Sequence, residues 1–336
     1  MSKFMLDMIE QPDAVRNLLS GAGEIYEKAQ KLDFSRVIFT GMGASLHASD
    51  AAIPYLRSHG IDAGIAEMSE LISYGSSDLL KKYSTIFIVS QSGESAELLR
   101  FIDDNRDLLE RMVLITNNPD SSAASKLPCD RVFPIHAGLE RSMGATKTFT
   151  NTIVTIFMIG SSWCGSNLNT SLLPEKMEEA LSVDTTELAK SLHKAKTAIV
   201  VARGSGVGVG RMIRLMFAEV AKLSVVFYSG AAFRHGPLEL LIDRPLVITL
   251  NPEGKTSPLM EELHRDISDK CELITLSNFA SASCSVKRVF LQKGLPEELS
   301  FIPMMNYLQK TAEELARMRN FDPGAGIFGS KVTTKE

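Results

Sequence analysis

Short runs rich in β-branched residues recur along this chain in two sets of four, and a constant offset relates the sets. The first set is Arg36-Val-Ile-Phe-Thr40, Thr85-Ile-Phe-Ile-Val-Ser90, Met112-Val-Leu-Ile-Thr116 and Arg131-Val-Phe-Pro-Ile135. The second is Thr197-Ala-Ile-Val-Val201, Pro245-Leu-Val-Ile-Thr-Leu250, Cys271-Glu-Leu-Ile-Thr-Leu276 and Lys287-Arg-Val-Phe-Leu291. Phe87 lines up with Val247 and Val113 with Leu273, an offset of 160 in both cases (247 − 87 and 273 − 113). Runs this short and this apolar, separated by longer helical stretches, read as parallel strands buried on both faces. The expected fold is therefore α/β, with two tandem, doubly wound parallel-sheet domains related by internal duplication. A length of 336 residues suits two such domains.

The polar, unpatterned stretch Ser166 to Leu173 marks the expected junction near residue 170. Residues 1–170 are then the first domain, preceded by a helical arm over roughly residues 7 to 30. Residues 171–319 form the second domain. The remaining segment, 320–336, reads NFDPGAGIFGSKVTTKE and is too irregular for a packing helix.

Composition narrows the function. With 44% hydrophobic residues and a mean hydropathy of +0.04 the chain can bury full cores. Lys+Arg 36 against Asp+Glu 40 leaves a net charge of −4. There is no surplus of positive charge to hold a nucleic-acid backbone, so nucleic-acid binding is not expected. Asp7, Glu10 and Asp13 interrupt the opening residues where a signal peptide needs an apolar core. The longest clean apolar run, Ile153 to Gly160, falls far short of the ~20 residues a membrane span requires. Cys129, Cys164, Cys271 and Cys284 lie far apart with no CxxC, which suggests neither a zinc site nor a disulfide framework. A cytoplasmic protein without metal or other cofactor, and without a membrane partner, is expected.

Two glycine turns follow strands: Gly41-Met-Gly43-Ala-Ser45 and Gly204-Ser-Gly206-Val-Gly208-Val-Gly210. Each is an imperfect dinucleotide fingerprint, with Leu46 and Val209 standing where the last glycine belongs. The plainer reading is that glycine allows close approach of the turn to a ligand or a neighbouring element. The strongest local signal is Ser90-Gln-Ser-Gly-Glu-Ser95, between a buried strand and the amphipathic segment Ala96-Glu-Leu-Leu-Arg-Phe-Ile102. Three hydroxyls and the N–H groups of a helix start converge where the macrodipole is positive, as a phosphate or similar anion requires. An ordinary serine N-cap would account for one of those serines, not for three and a glutamine. No lysine sits in the loop, which disfavours a Walker-type triphosphate clamp.

Together with Glu140-Arg-Ser-Met-Gly-Ala-Thr-Lys147 and the Arg234-His-Gly-Pro237 string, these motifs resemble the double sugar isomerase (SIS) domain family over residues from about 36 to 336. More closely, the chain resembles the branch that holds the isomerase half of glutamine–fructose-6-phosphate aminotransferase, amino-sugar-phosphate deaminases and fructosamine-6-phosphate deglycases. The resemblance implies flavodoxin-like domains. It also implies sugar-phosphate contacts at Ser45, Ser90, Gln91, Ser92 and Ser95, with further substrate contacts at Gly43, Glu140 and Thr146. Glu219 lies 16 residues before His235 (235 − 219), the family's spacing of catalytic glutamate and ring-opening histidine. Lys331 takes the place of a C-terminal lysine able to form a Schiff base with an open-chain ketose. As plainer roles, Glu219 could cap a helix face, His235 could be a turn residue and Lys331 a surface lysine.

Two positions depart from the family pattern. Met216 replaces a lysine three residues before the glutamate, and Ala145 replaces a serine that contacts the sugar. The match does not extend to a glutaminase portion, so ammonia release from glutamine is not expected. The implied activity is a phosphosugar isomerase-type reaction on a 6-phosphorylated hexose or amino sugar, through an enediol or enolamine. Fructosamine-6-phosphate deglycation is an alternative, and a non-catalytic sugar-phosphate regulator is an alternative of another class. The family's histidine loop completes a neighbour's site, so a homodimer or dimer of dimers is expected, with Leu223 to Tyr228 offering apolar surface.

Overall fold

The computed structural model describes residues 1–75, 77–166, 168–280, 286–291 and 293–329. Three helices open the chain: α1 (Lys3–Ile9), α2 (Gln11–Ser20) and α3 (Ala22–Ala29). Then come β1 (Arg36–Gly41), α4 (Gly43–Ser58), β2 (Asp62–Glu67), α5 (Met68–Tyr74), α6 (Ser77–Leu80), β3 (Thr85–Val89), α7 (Ala96–Asp104), β4 (Met112–Thr116), β5 (Val132–Pro134) and α8 (Lys147–Cys164). The second series is α9 (Leu173–Ser182), α10 (Thr186–Lys194), β6 (Ala198–Ala202), α11 (Gly206–Met216), β7 (Val225–Ser229), α12 (Gly230–Arg234), β8 (Leu246–Leu250), α13 (Ser257–Ile267), β9 (Glu272–Ser277), β10 (Lys287–Phe290) and α14 (Glu297–Met318). No helix among the described residues is long and apolar enough to cross a membrane.

The strands form two five-stranded parallel sheets of identical topology, β2-β1-β3-β4-β5 and, in reverse writing, β7-β6-β8-β9-β10. Both are the 2-1-3-4-5 order of doubly wound, flavodoxin-like sheets, and the shared order is the structural form of the duplication. All eight expected strands are present, shifted by a residue or two at their ends. Each sheet has one strand more than the patterning indicated, β2 and β7, and both are edges. β2, Asp-Ala-Gly-Ile-Ala-Glu, lacks a β-branched run. β7 overlaps the apolar 223–228 segment and pairs along β6 from Ala198↔Val225 to Ala202↔Ser229, with its other side at the sheet edge.

The chain divides into two compact units. The first comprises Asp13–Glu140, Lys147–Leu168 and the described residues from Gly326 on; the second comprises Met1–Pro12, Arg141–Thr146 and Asn169–Ala325. This differs from a simple division at 170, because residues 1–12 and 141–146 cluster with the second half. Ser2 Oγ donates to the Glu313 carboxylate (3.0 Å) and Gln11 Nε2 to Gln309 Oε1 (2.7 Å), which ties the opening residues to α14, and the 141–146 segment joins them through Asp7. Its carboxylate is fully buried on α1, where a charge must be paired and hydrogen-bonded. It accepts from the backbone N–H groups of Arg141 (2.7 Å) and Ser142 (2.8 Å) and from Arg141 Nη1 (2.8 Å), fastening that segment to α1.

Within the first unit, Ile38, Ile86, Ile88, Met112 and Leu114 pack beneath Leu98, Phe101 and Ile102 of α7. On the opposite sheet face Phe39 and Phe87, register partners on β1 and β3, stack with centroids 4.5 Å apart. Within the second unit, Ile199, Val201, Val247 and Leu273 meet Met260, Leu263 and Ile267 of α13 and Phe233 of α12. β1 (after Arg36), β3, β4, β6 and β8 are buried along their length because helices cover both faces, which explains why their sequences are continuously rather than alternately apolar.

Candidate functional site

Strand order reverses between β1 and β3, and in open α/β sheets the loops at the carboxyl ends of such a pair are where ligands bind. In the first unit those loops carry Gly43 and Ser45 on one side and Ser90 to Ser95 on the other. β1 and β3 run side by side with Gly41 opposite Val89, and a Cβ on Gly41 would stand 2.7 Å from the Val89 carbonyl oxygen. Gly43 has φ +49 and starts α4. Ser45, half-buried in the first turn of α4, bonds through its N–H to the Met42 carbonyl (3.1 Å).

The second loop is shaped by its own serines. Ser90 Oγ accepts from the Gly93 N–H (3.2 Å) and Ser92 Oγ from the Glu94 N–H (3.2 Å). A hydroxyl that accepts in this way keeps its own proton to donate. Gly93 has φ +67, and a Cβ there would fall 2.1 Å from Ser121 Oγ, so only glycine fits. The Gln91 carbonyl accepts from the Asn117 N–H (3.1 Å), tying the loop to the end of β4. Glu94, the loop's one carboxylate, accepts from the Ser122 N–H (2.8 Å), and that bond lowers its pKa. Ser95 holds the N-cap position of α7 but makes no capping bond with its side chain, so the plain-cap reading does not describe it. The loop thus presents serine hydroxyls and the first N–H groups of a helix, donors of the kind an anion needs, with Glu94 held by the Ser122 N–H and a second carboxylate, Glu97, buried in the first turn of α7.

Glu140 and Thr146 are both buried, Glu140 in the first unit and Thr146 in the second. Glu140 accepts from the Thr148 N–H (3.3 Å) and from Thr148 Oγ1, serving the first turn of α8. Next to it Lys147, 2% exposed, donates Nζ to the Leu139 carbonyl (2.7 Å).

In the second unit α11 ends in a π-helical turn, Phe217–Ala221, with Glu219 at its centre. π-Turns are rare and are frequently found at functional sites. Phe217, Val220 and Ala221 are buried by the turn, and Glu219 is left half-buried. The turn closes at Lys222, a left-handed residue (φ 54, ψ 35), a conformation that costs a non-glycine residue roughly 1–2 kcal/mol. His235 stands exposed at the end of α12, its N–H on the Ala232 carbonyl (3.0 Å) and a left-handed Gly236 (φ +112) after it. Buried Phe233 and the Arg234–Asp266 ion pair (2.6 Å) anchor that turn. Lys331 lies outside the described residues.

The second unit has its own reversal, between β6 and β8, and there the chain supplies the anion. The Glu297 carboxylate, from the first residue of α14, accepts from the Lys255 N–H (2.6 Å) and from Thr256 Oγ1 (3.0 Å) just before α13. A Cβ on Gly254 would lie 2.1 Å from Glu297 Oε2, and one on Gly204 3.6 Å from Oε1. The glycines after β6 otherwise serve packing: a Cβ on Gly206 would meet the Phe301 ring at 2.4 Å and one on Gly210 the Phe227 ring at 2.1 Å. This supports close approach rather than a dinucleotide fingerprint. No group of three or more His, Cys, Asp or Glu among the described residues could hold a metal ion.

Sequence reasoning passed over Glu297, Lys147 and Lys222. Glu297 and Lys222 act through partners distant in sequence, and no spacing rule reports those; the left-handed residue closing a helix is commonly glycine, so Lys222 left no signal.

Two duplicated, doubly wound parallel sheets, one with a hydroxyl-lined loop at its topological switch point, define a tandem doubly wound α/β protein. The family model described as SIS domain matches residues 33–161 and 191–284, and the chain belongs to that family. It is 26% identical over 351 residues to glutamine–fructose-6-phosphate aminotransferase [isomerizing] of Thermococcus kodakarensis, covering 99% of this chain and 58% of that protein's length. Among solved structures, the C-terminal domain of glucosamine-fructose-6-phosphate aminotransferase from Francisella tularensis superposes with a TM-score of 0.78 at 19% identity, covering 97% of this chain and 98% of that one. The glucosamine-6-phosphate deaminase from Thermotoga maritima gives 0.74 at 16%, covering 99% and 100%. At such identities these structures share the fold.

Proposed function

We propose that the protein is a phosphosugar isomerase-type enzyme acting on a 6-phosphorylated hexose or amino sugar. The observation that carries the reading is the Ser90 to Ser95 loop, whose hydroxyls and helix-start N–H groups are arranged for a dianion at a switch point. Ser45, Ser90, Gln91, Ser92 and Ser95 hold the phosphate, so that binding energy from a remote group orients C1 and C2. His235 moves the proton between the ring oxygen and the anomeric oxygen during ring opening. Glu219 then takes the proton from C2 of the aldose, or from C1 of the ketose, and returns it to the other carbon. With an amino sugar the intermediate is an enolamine; its protonation at C1 gives the imine at C2, which water hydrolyses to the ketose phosphate and ammonia. Lys331, by the sequence resemblance alone, forms a Schiff base with a ketose, and the working protein is a homodimer or a dimer of dimers.

The support is threefold: membership of the SIS family, the π-turn under Glu219, and relatives named as isomerising aminotransferases. The test is incubation in D₂O with a panel of hexose 6-phosphates, glucosamine 6-phosphate and fructosamine 6-phosphates, followed by NMR. Deuterium at C1 or C2 of at least one substrate is the expected result. Binding without exchange across the whole panel would make the protein a sugar-phosphate regulator instead.

A further inference from the structure

We infer that Lys222 is a positioning residue: it fastens the C-terminal tail to the turn that bears Glu219 and so fixes where that carboxylate stands. The inference rests on Glu219 being the base. Lys222 Nζ donates to the Glu219 carbonyl and, across 103 positions of sequence, to the Ala325 carbonyl (2.7 Å). One ammonium thus joins the π-turn to the tail. The neighbouring tail residue is clamped as well. The Gly324 carbonyl accepts from the Met143 N–H (2.9 Å), and a Cβ on Gly324 (φ +77) would lie 2.9 Å from Ser142 Cβ and 3.0 Å from Phe4 Cβ. Just past the end of α14 comes a third tie, Arg319 Nη2 to the Lys222 carbonyl (3.2 Å).

An ordinary helix end would need only a glycine at this left-handed position. Keeping lysine there despite the conformational cost makes sense when the side chain has work that glycine cannot do. The charges around it fit that work. Glu219 and Asp322 carboxylates face the ammonium, while burial pulls its pKa below the ordinary lysine value. Met216, one turn before Glu219, is buried and apolar, so it brings no cation to the glutamate from that side. Lys222, one turn after, does. The tail that Lys222 pins at Ala325 is also the segment that continues to Lys331. Tail position and base position are then coupled through one side chain.

The test uses the full-length chain, with Lys222→Met and Lys222→Arg compared with the parent by amide hydrogen exchange and by steady-state kinetics. In Lys222→Met the amides of residues 321–326 should exchange about tenfold faster while the sheets keep their protection, and Lys222→Arg, which can still reach both carbonyls, should restore most of it. kcat should fall about 10- to 100-fold in Lys222→Met with KM changed by less than about twofold, and recover in Lys222→Arg. Unchanged tail exchange in Lys222→Met overturns the inference. So does faster exchange with parental kcat, because the tail would then have no hold on the base. A parent protein inert toward every sugar phosphate refutes the assignment of Glu219 as base, and the exchange arm still decides the fastening by itself.

Discussion

The two switch points of this molecule are built from the same strands and differ in where the negative charge comes from. In the second unit the Glu297 carboxylate supplies it, accepting from Lys255 and Thr256 at the start of α13. In the first unit the corresponding loop offers Ser90, Ser92 and Ser95, and its own acid, Glu94, is engaged by the Ser122 N–H. The helix after the last strand begins with Glu297 in one unit and Lys147 in the other. Duplication delivered two anion-accepting loops; one was satisfied internally and became structure, and the other kept donors suited to a ligand. The proposed chemistry takes a third place, the π-turn of Glu219, in the unit whose loop is filled by Glu297.

The most severe way to break that division is at the base. Glu219→Gln keeps the shape and cannot accept a carbon-bound proton, so turnover should fall about a thousandfold while sugar-phosphate binding persists. Exchange of the substrate C1 or C2 hydrogen at the parental rate in D₂O would remove Glu219 from the mechanism.

Acid should separate the units. His264, in the second unit, is fully buried, its Nε2 2.8 Å from Thr249 Oγ1 and its Nδ1 3.4 Å from Glu261 Oε1. Burial, assisted by Arg288 and opposed by Glu261, lowers its pKa from 6.5 to about 4. The unfolded chain therefore takes up a proton at a pH where the folded one does not. Stability that is present above pH 6.5 is lost as pH falls toward 4, by up to about 3 kcal/mol. Trp163, the single tryptophan, lies on α8 of the first unit. In this pH window the circular dichroism should begin to change before Trp163 fluorescence does. Fluorescence changing first would reverse the ranking of the two units.

At the anion loop, Ser92→Ala with Ser95→Ala removes two charge-assisted donors, each worth about 1.5–3 kcal/mol, so affinity for fructose 6-phosphate should drop about 100-fold or more by calorimetry. Parental affinity would mean the loop is not the phosphate site. The smallest effect is expected at Glu297→Ala, which uncaps α13 at a cost of about 1 kcal/mol. It should also raise the phosphate-binding stoichiometry from one site to two. Stoichiometry that stays at one would mean the second loop needs its covalent carboxylate and is no relative of the first.

Much of this was legible in the sequence because it is local. The eight strands announced themselves by composition, the duplication by a fixed offset, and the anion loop by three serines and a glutamine at a strand–helix junction. The edge strand β2 was not legible, since Ala-Gly-Ile-Ala becomes a strand only through pairing with β1. Nor was the membership of residues 1–12 in the second unit, which rests on Ser2 and Gln11 meeting Glu313 and Gln309 of α14, some 300 positions away. Glu219 could be placed by its spacing to His235, but the π-turn beneath it, the left-handed Lys222 and the Glu297 carboxylate are long-range results of packing. Ser95 shows the converse: its position announced a cap, and its side chain does not make one.

The division between the switch points is tested most directly by mapping backbone amide shifts in a ¹⁵N spectrum while fructose 6-phosphate is added. The account predicts saturable shifts at Gln91 to Ala96 and at Gly43 to Ser45, with Gly254 to Thr256 unmoved because Glu297 already occupies their donors. Shifts centred on Gly254 to Thr256, with the Ser90 to Ser95 loop silent, would contradict it.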